Sequence, residues 1–84
     1  MPLRAYIFLK VRPVPVEDLR RELEKIHEIV EGFVVTGEVD VVLSVHVSDT
    51  NELFQLVKKL RGLPFVLDTK TSIAISVVKE MKEK

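Results

Sequence analysis

The chain has no cysteine, only two histidines, only three glycines and no excess of either charge. Each shortage removes a class of function. Without cysteine there is no disulfide framework, no thiolate nucleophile and no cysteine-based metal site. Thirteen basic residues offset thirteen acidic ones. The basic excess that grips a phosphate backbone is therefore missing, and direct nucleic-acid contact is not expected. Gly32, Gly37 and Gly62 are too scattered to cradle a phosphate. No apolar run reaches the ~18 residues of a membrane span, so no membrane partner is expected. The opening Met1-Pro2-Leu3-Arg4-Ala5 has no signal-peptide pattern, and the expected location is cytoplasmic. His27 and His46 stand at no metal-ligand spacing with acidic residues. The sequence thus predicts no catalytic residues, no metal and no cofactor.

What is present is a pair of β-branched runs around Gly37-Glu38, spanning Phe33 to Val47. Glycine at the first central position suits a two-residue type II′ hairpin turn. A four-residue loop from Gly37 to Asp40 is the alternative. Both registers put Val39, Val41, Leu43, Val45 and Val47 on one wholly apolar face, because side chains alternate with a period of two. Asp40, Val42, Ser44 and His46 fall on the other, opposite Phe33 and Val35.

The remaining elements follow from spacing. Ala5–Val11 alternates as a strand and is stopped by Arg12-Pro13-Val14-Pro15. Val16, Leu19, Leu23 and Ile26 predict a helix over 16–27, with a charged outer face of four-apart pairs Glu17–Arg21 and Arg20–Glu24. His27 would close that helix, where an imidazolium interacts favourably with the helix C-terminus. Strand two is expected over 29–36. Asp49 and Glu52 mark a capped helix start, followed by an apolar face of Leu53, Phe54, Val57 and Leu60 and a stop at Gly62-Leu63-Pro64. Strand four is expected over 67–78, and 79–84 reads as a frayed charged tail.

This order, β-α-β-β-α-β in a single domain over 1–84, predicts an α+β fold of ferredoxin-like type. A four-stranded antiparallel sheet carries both helices on one face. The uncovered face would hold Tyr6, Phe8, Phe33, Val35, Val42 and Ala74, with several serines. A face so apolar marks an interface. Two sheets are expected to meet there in a symmetric dimer, a dimeric α+β barrel. A chain of this size buries only about 60–65% of its unfolded surface, so partner burial would add stability.

Polar residues gather at the turn (Thr36, Gly37, Glu38, Asp40), at the start of strand four (Asp68, Thr69, Lys70, Thr71, Ser72) and near Asp49. In the ferredoxin-like strand order the first two clusters are not expected to share a pocket within one subunit. Together, turn backbone, carboxylates and hydroxyls would suit the ammonium and carboxylate of a free amino acid. Each also has a local use: Gly37 for the turn, Asp40 for strand-end hydrogen bonding, Thr and Ser for strand propensity. The residues alone leave both readings open.

The run Val35-Thr36-Gly37-Glu38-Val39-Asp40-Val41-Val42-Leu43-Ser44-Val45 resembles the signature hairpin of the Lrp/AsnC effector-binding (RAM) domain. The similarity continues through Asp49, Leu53, Phe54 and Leu60, and through Asp68-Thr69-Lys70-Thr71-Ser72-Ile73-Ala74-Ile75. Phe65 stands where the family often has glycine, and the loop after strand one lacks the family's Pro-Gly. No helix-turn-helix precedes the first strand in this sequence, so the resemblance is to the stand-alone form. It implies a non-enzymatic module that senses small amino acids and modulates transcription, with full-length Lrp/AsnC regulators as partners. It also implies homodimers assembling into a ring, an octamer, with the effector between dimers. Carried onto this chain, Thr36, Gly37, Glu38 and Asp40 would form one wall of the site, and Asp68, Thr69, Thr71 and Ser72 another. Two other functions compete. A small dimeric α+β-barrel enzyme would need a polar pocket between helices and sheet, where this chain has Val, Ile and Leu. A purely structural oligomerisation domain would bind nothing.

Overall fold

In the computed structural model, which describes residues 2–81, the elements are β1 (Leu3–Val11), α1 (Val16–Leu23), β2 (Ile29–Val34), β3 (Val41–Val47), α2 (Thr50–Arg61) and β4 (Val66–Ile73). The strands form one antiparallel sheet in the order β2-β3-β1-β4, the ferredoxin-like arrangement. Ala5, Ile7 and Leu9 of β1 and Val41, Leu43, Val45 and Val47 of β3 all point beneath the helices and are buried. Leu19 and Ile26 cover them from one side, Leu53, Leu56 and Leu60 from the other. Each of the Val, Leu and Ile side chains contributes about 1.5–3 kcal/mol through burial. Among the described residues no polar or charged residue is buried.

The hairpin follows the register of a turn centred on Gly37-Glu38, with Phe33 opposite Val42 and Val34 opposite Val41. Pairing ends where the Val35 N–H donates to the Asp40 carbonyl at 2.9 Å. The connection is thus a four-residue loop, Thr36 to Val39, wider than the tight turn and one residue earlier than the Gly37–Asp40 loop. Gly37 has φ of 115°, a left-handed conformation that glycine adopts without the Cβ penalty. β2 accordingly ends at Val34 instead of residue 36.

Helix α1 is shorter than its apolar spacing predicts. The Glu24 N–H closes on the Arg20 carbonyl, and the chain then turns, with the Ile26 N–H on Leu23. Ile26 still enters the core, but from the connection, and His27 no longer sits on a helix end. The outer-face pairs are three apart, Glu17–Arg20, Asp18–Arg21 and Glu22–Lys25. In α2 the buried stripe is Leu53, Leu56 and Leu60 with Val57 half-buried. Phe54, expected inside, is 66% exposed, because it sits a third of a turn off that stripe. Gly62 ends α2 in a right-handed conformation, its N–H shared between the Lys58 and Lys59 carbonyls.

β4 stops at Ile73, well short of residue 78. Its partner is β1, the paired residues end at Ala5 and Ile73, and the Ala74 N–H donates to the Arg4 carbonyl just beyond them. Ile75, Val77, Val78 and Met81 beyond it are exposed. Of the tail expected at 79–84, residues 79–81 have no regular structure, and 82–84 lie outside the described residues. Among the described residues, no helix is long and apolar enough to cross a membrane.

Candidate functional site

Cross-strand partners share a face, so the registers assign every polar residue at the sheet's hairpin end. Lys10 pairs with Asp68, Phe8 with Lys70 and Tyr6 with Ser72. All six lie on the face away from the helices. Leu9 pairs with Thr69 and Ile7 with Thr71, so both threonines share the helix-covered face. The β4 set named from sequence is therefore divided: Asp68 and Ser72 on the open face, Thr69 and Thr71 on the other.

The hairpin loop reaches this end of β1. The Asp40 N–H donates to the Leu9 carbonyl at 2.9 Å, and its Oδ2 accepts from the Val11 N–H at 2.9 Å. Asp40 thereby takes over where the β1–β3 pairing stops at Leu9 and Val41. Its carboxylate is engaged in strand-end hydrogen bonding, one of the two uses its position allowed. Beside it, Phe8, Lys10, Glu38, Val39, Asp68 and Lys70 line a cavity of about 280 Å³. Turn and β4 do share a pocket within one subunit, contrary to the topological expectation. β1 alone separates them, and Glu38 in the loop reaches across it. Two ammonium groups and two carboxylates stand around one half-buried aromatic ring. Of the eight site residues named from sequence, Glu38 and Asp68 line this cavity. Thr36 and Gly37 lie in the adjoining loop. Lys70 stood in the β4 polar cluster without being carried into the site, while Lys10 and Phe8 were missed as lining residues. The signal was period-two alternation combined with a β1–β4 register that no single strand reveals.

The open face carries the residues expected there. Phe8, Val35 and Val42 are half-buried, Tyr6 is 37% exposed, Phe33 59% exposed, and Ala74 is exposed. At the opposite end of this face His46 accepts a hydrogen bond at Nε2 from the Arg4 Nε–H at 3.2 Å. On the helix side, a groove of about 440 Å³ runs between α1 and the edge strand β2, walled by Leu19, Leu23, Ile29 and Val34.

At the start of α2, Asp49 caps the helix by accepting from the Glu52 N–H at 2.9 Å. Glu52 reaches back one residue further than a reciprocal capping box requires. Its Oε1 accepts from the Ser48 N–H at 2.6 Å and the Ser48 hydroxyl at 2.8 Å. The Ser48 N–H above all, then its hydroxyl, holds the Glu52 carboxyl below its ordinary value of 4.5.

Comparison with known proteins agrees with this architecture. Residues 4–83 match the family model of the Lrp/AsnC ligand binding domain. The HTH-type transcriptional regulator FL11 of Pyrococcus horikoshii is 30% identical over 79 residues, 94% of this chain and 52% of that protein. The chain thus spans about half the length of the curated relatives it matches. The transcriptional regulator NMB0573 from Neisseria meningitidis, solved as a complex with L-Met, superposes with a TM-score of 0.85 at 27% identity, covering 93% of this chain and 53% of that one. TTHA0845 from Thermus thermophilus superposes with a TM-score of 0.83 at 25% identity, covering 93% and 99%. The fold, the open apolar sheet face and a family match across nearly every residue lead to one conclusion: this chain belongs to the Lrp/AsnC ligand-binding domain family.

Proposed function

We propose that the chain is an amino-acid-sensing module, not an enzyme, that acts on transcription in the cytoplasm together with full-length Lrp/AsnC regulators. The observation that carries this reading is the mixed-charge cavity at the hairpin end. An amino acid is a zwitterion, and Lys10 and Lys70 complement its carboxylate while Glu38 and Asp68 complement its ammonium. Thr36, Gly37 and Ser72 flank this site, and Asp40 braces the loop that forms its wall. A cavity of 280 Å³ lies just under the ~300–1,000 Å³ of drug-sized ligand sites, a size that suits a small molecule. That a related regulator was solved with L-Met adds support. Among the described residues, every fully buried side chain beneath the helices is apolar, which favours a binding module over an enzyme.

Two copies pack their open sheet faces through Tyr6, Phe8, Phe33, Val35, Val42 and Ala74, and dimers assemble into a ring in which the effector cavity, at the hairpin-end rim of that contact, faces the neighbouring dimer. Effector bound there stabilises the assembly by linkage, about 2.7 kcal/mol at a hundredfold excess over Kd. The test is calorimetric titration with each of the twenty amino acids, methionine first, with solution mass followed by light scattering. Saturable binding that shifts the mass, and that Asp68→Asn and Lys70→Ala each weaken at least about tenfold (about 1.4 kcal/mol), supports the proposal. A fixed mass and no heat with any amino acid overturns it.

A further inference from the structure

The fold brings three metal-ligating side chains together at the end of the sheet opposite the cavity. His27 and Glu28 come from the α1–β2 connection, and Glu52 from the first turn of α2. Their nearest ligand atoms all lie within 4.8 Å of one another. His27 Nδ1 stands 3.5 Å from Glu28 Oε1. We propose that His27, Glu28 and Glu52 bind one divalent first-row transition ion of zinc type.

Three observations support this. The first is spacing. Zinc holds N and O ligands at about 2.0–2.2 Å in a tetrahedron, which sets neighbouring ligand atoms roughly 3.3 Å apart. The His27–Glu28 separation already approximates one edge, and the Glu52 ligand atom lies within 4.8 Å of both. The second is an unmet need. Glu28 Oε1 is shielded from solvent, on a side chain only 13% exposed, and has no hydrogen-bond partner among the described residues. A buried carboxylate oxygen without a partner carries a desolvation cost that a cation would relieve. The third is a formed outer shell. The Ser48 N–H and hydroxyl both hold Glu52 Oε1, which orients the carboxylate and leaves Oε2 free of those two bonds. Two carboxylates neutralise a divalent charge, and a neutral imidazole adds the nitrogen that favours zinc over magnesium or calcium. The remaining coordination position is left to water. About 20 Å of β3 separates the cluster from the cavity, so the two sites are independent.

The experiment is calorimetric titration of the chelator-treated full chain with Zn²⁺ alone, with Co²⁺ absorption spectra reporting coordination. One Zn²⁺ per chain is expected. Glu28→Gln should weaken it by more than about 100-fold, and Ser48→Ala about tenfold, since its backbone N–H still holds Glu52. His27 is 87% exposed, so His27→Ala leaves the fold intact and decides the matter if Glu28→Gln fails to fold. It should weaken binding at least tenfold. His46→Ala should change nothing. No stoichiometric binding overturns the proposal, as does binding that survives His27→Ala or is lost with His46→Ala.

Discussion

Val42 and Leu43 are neighbours on β3, yet they face different environments. Leu43 is fully buried beneath the helices, and its Cδ2 lies so close to Gly32 that a Cβ there would approach to 2.9 Å. Val42, one residue earlier, is half-buried on the open face between Phe8 and Phe33. The covered face is complete within one chain. The open face is apolar at its centre and charged at its hairpin end, so it is complete only with something against it. In this small domain the covered face supplies stability, the open face is the one proposed for recognition, and the pleat keeps the two apart.

Leu43→Ala should break the covered face. It should lower the unfolding free energy by about 2–5 kcal/mol, and denaturant midpoints should shift equally at every protein concentration. On the open face, Phe8→Asp would place an unpaired charge between two sheets. It should reduce the mass measured by light scattering to that of the monomer while the circular dichroism spectrum persists; an unchanged mass would remove this face as the dimer contact. Val42→Ala sharpens the contrast. Its cost should be about 1 kcal/mol or less in dilute solution and should grow with protein concentration as association becomes linked to folding.

Smaller effects come from groups on neither face. The Glu52 carboxyl is held below 4.5 by Ser48 in the folded chain. A depressed folded value means stability that is present above pH 4.5 and lost as the pH falls through that lowered value. The stability difference between the native chain and Glu52→Gln should therefore be constant near neutrality and close in acid, as denaturation at several pH values would show. Smallest of all is Glu22→Ala. Its ion pair with Lys25 is largely solvent-exposed, and removing it should cost under about 0.5 kcal/mol in thermal denaturation.

Much of this was legible from residue order because alternation is a local property. The strands, their inward and outward faces, the Asp49 cap and the helix count all follow from spacing within a few residues. Element ends were less legible, since they depend on partners. β4 stops at Ile73 because its pairing with β1 ends at Ala5, although β1 itself continues to Leu3 against β3, and α1 stops at Leu23 because the chain must turn to bring Ile26 into the core. Phe54 and Leu56 show the same limit. Both suit a helix, and only the position of the sheet decides which is covered.

Sequence by itself determined the ferredoxin-like order, the apolar covered face and the unpartnered open one, because a period of two or 3.6 sorts side chains before any tertiary contact exists. Only the tertiary structure decided which charges meet. Lys10 faces Asp68 through strand register, and Glu38 joins them across β1 from the loop. His27 and Glu28 meet Glu52 because α2 begins where the α1–β2 connection ends. Such meetings are set by how separate elements pack, and spacing along the chain carries no record of it.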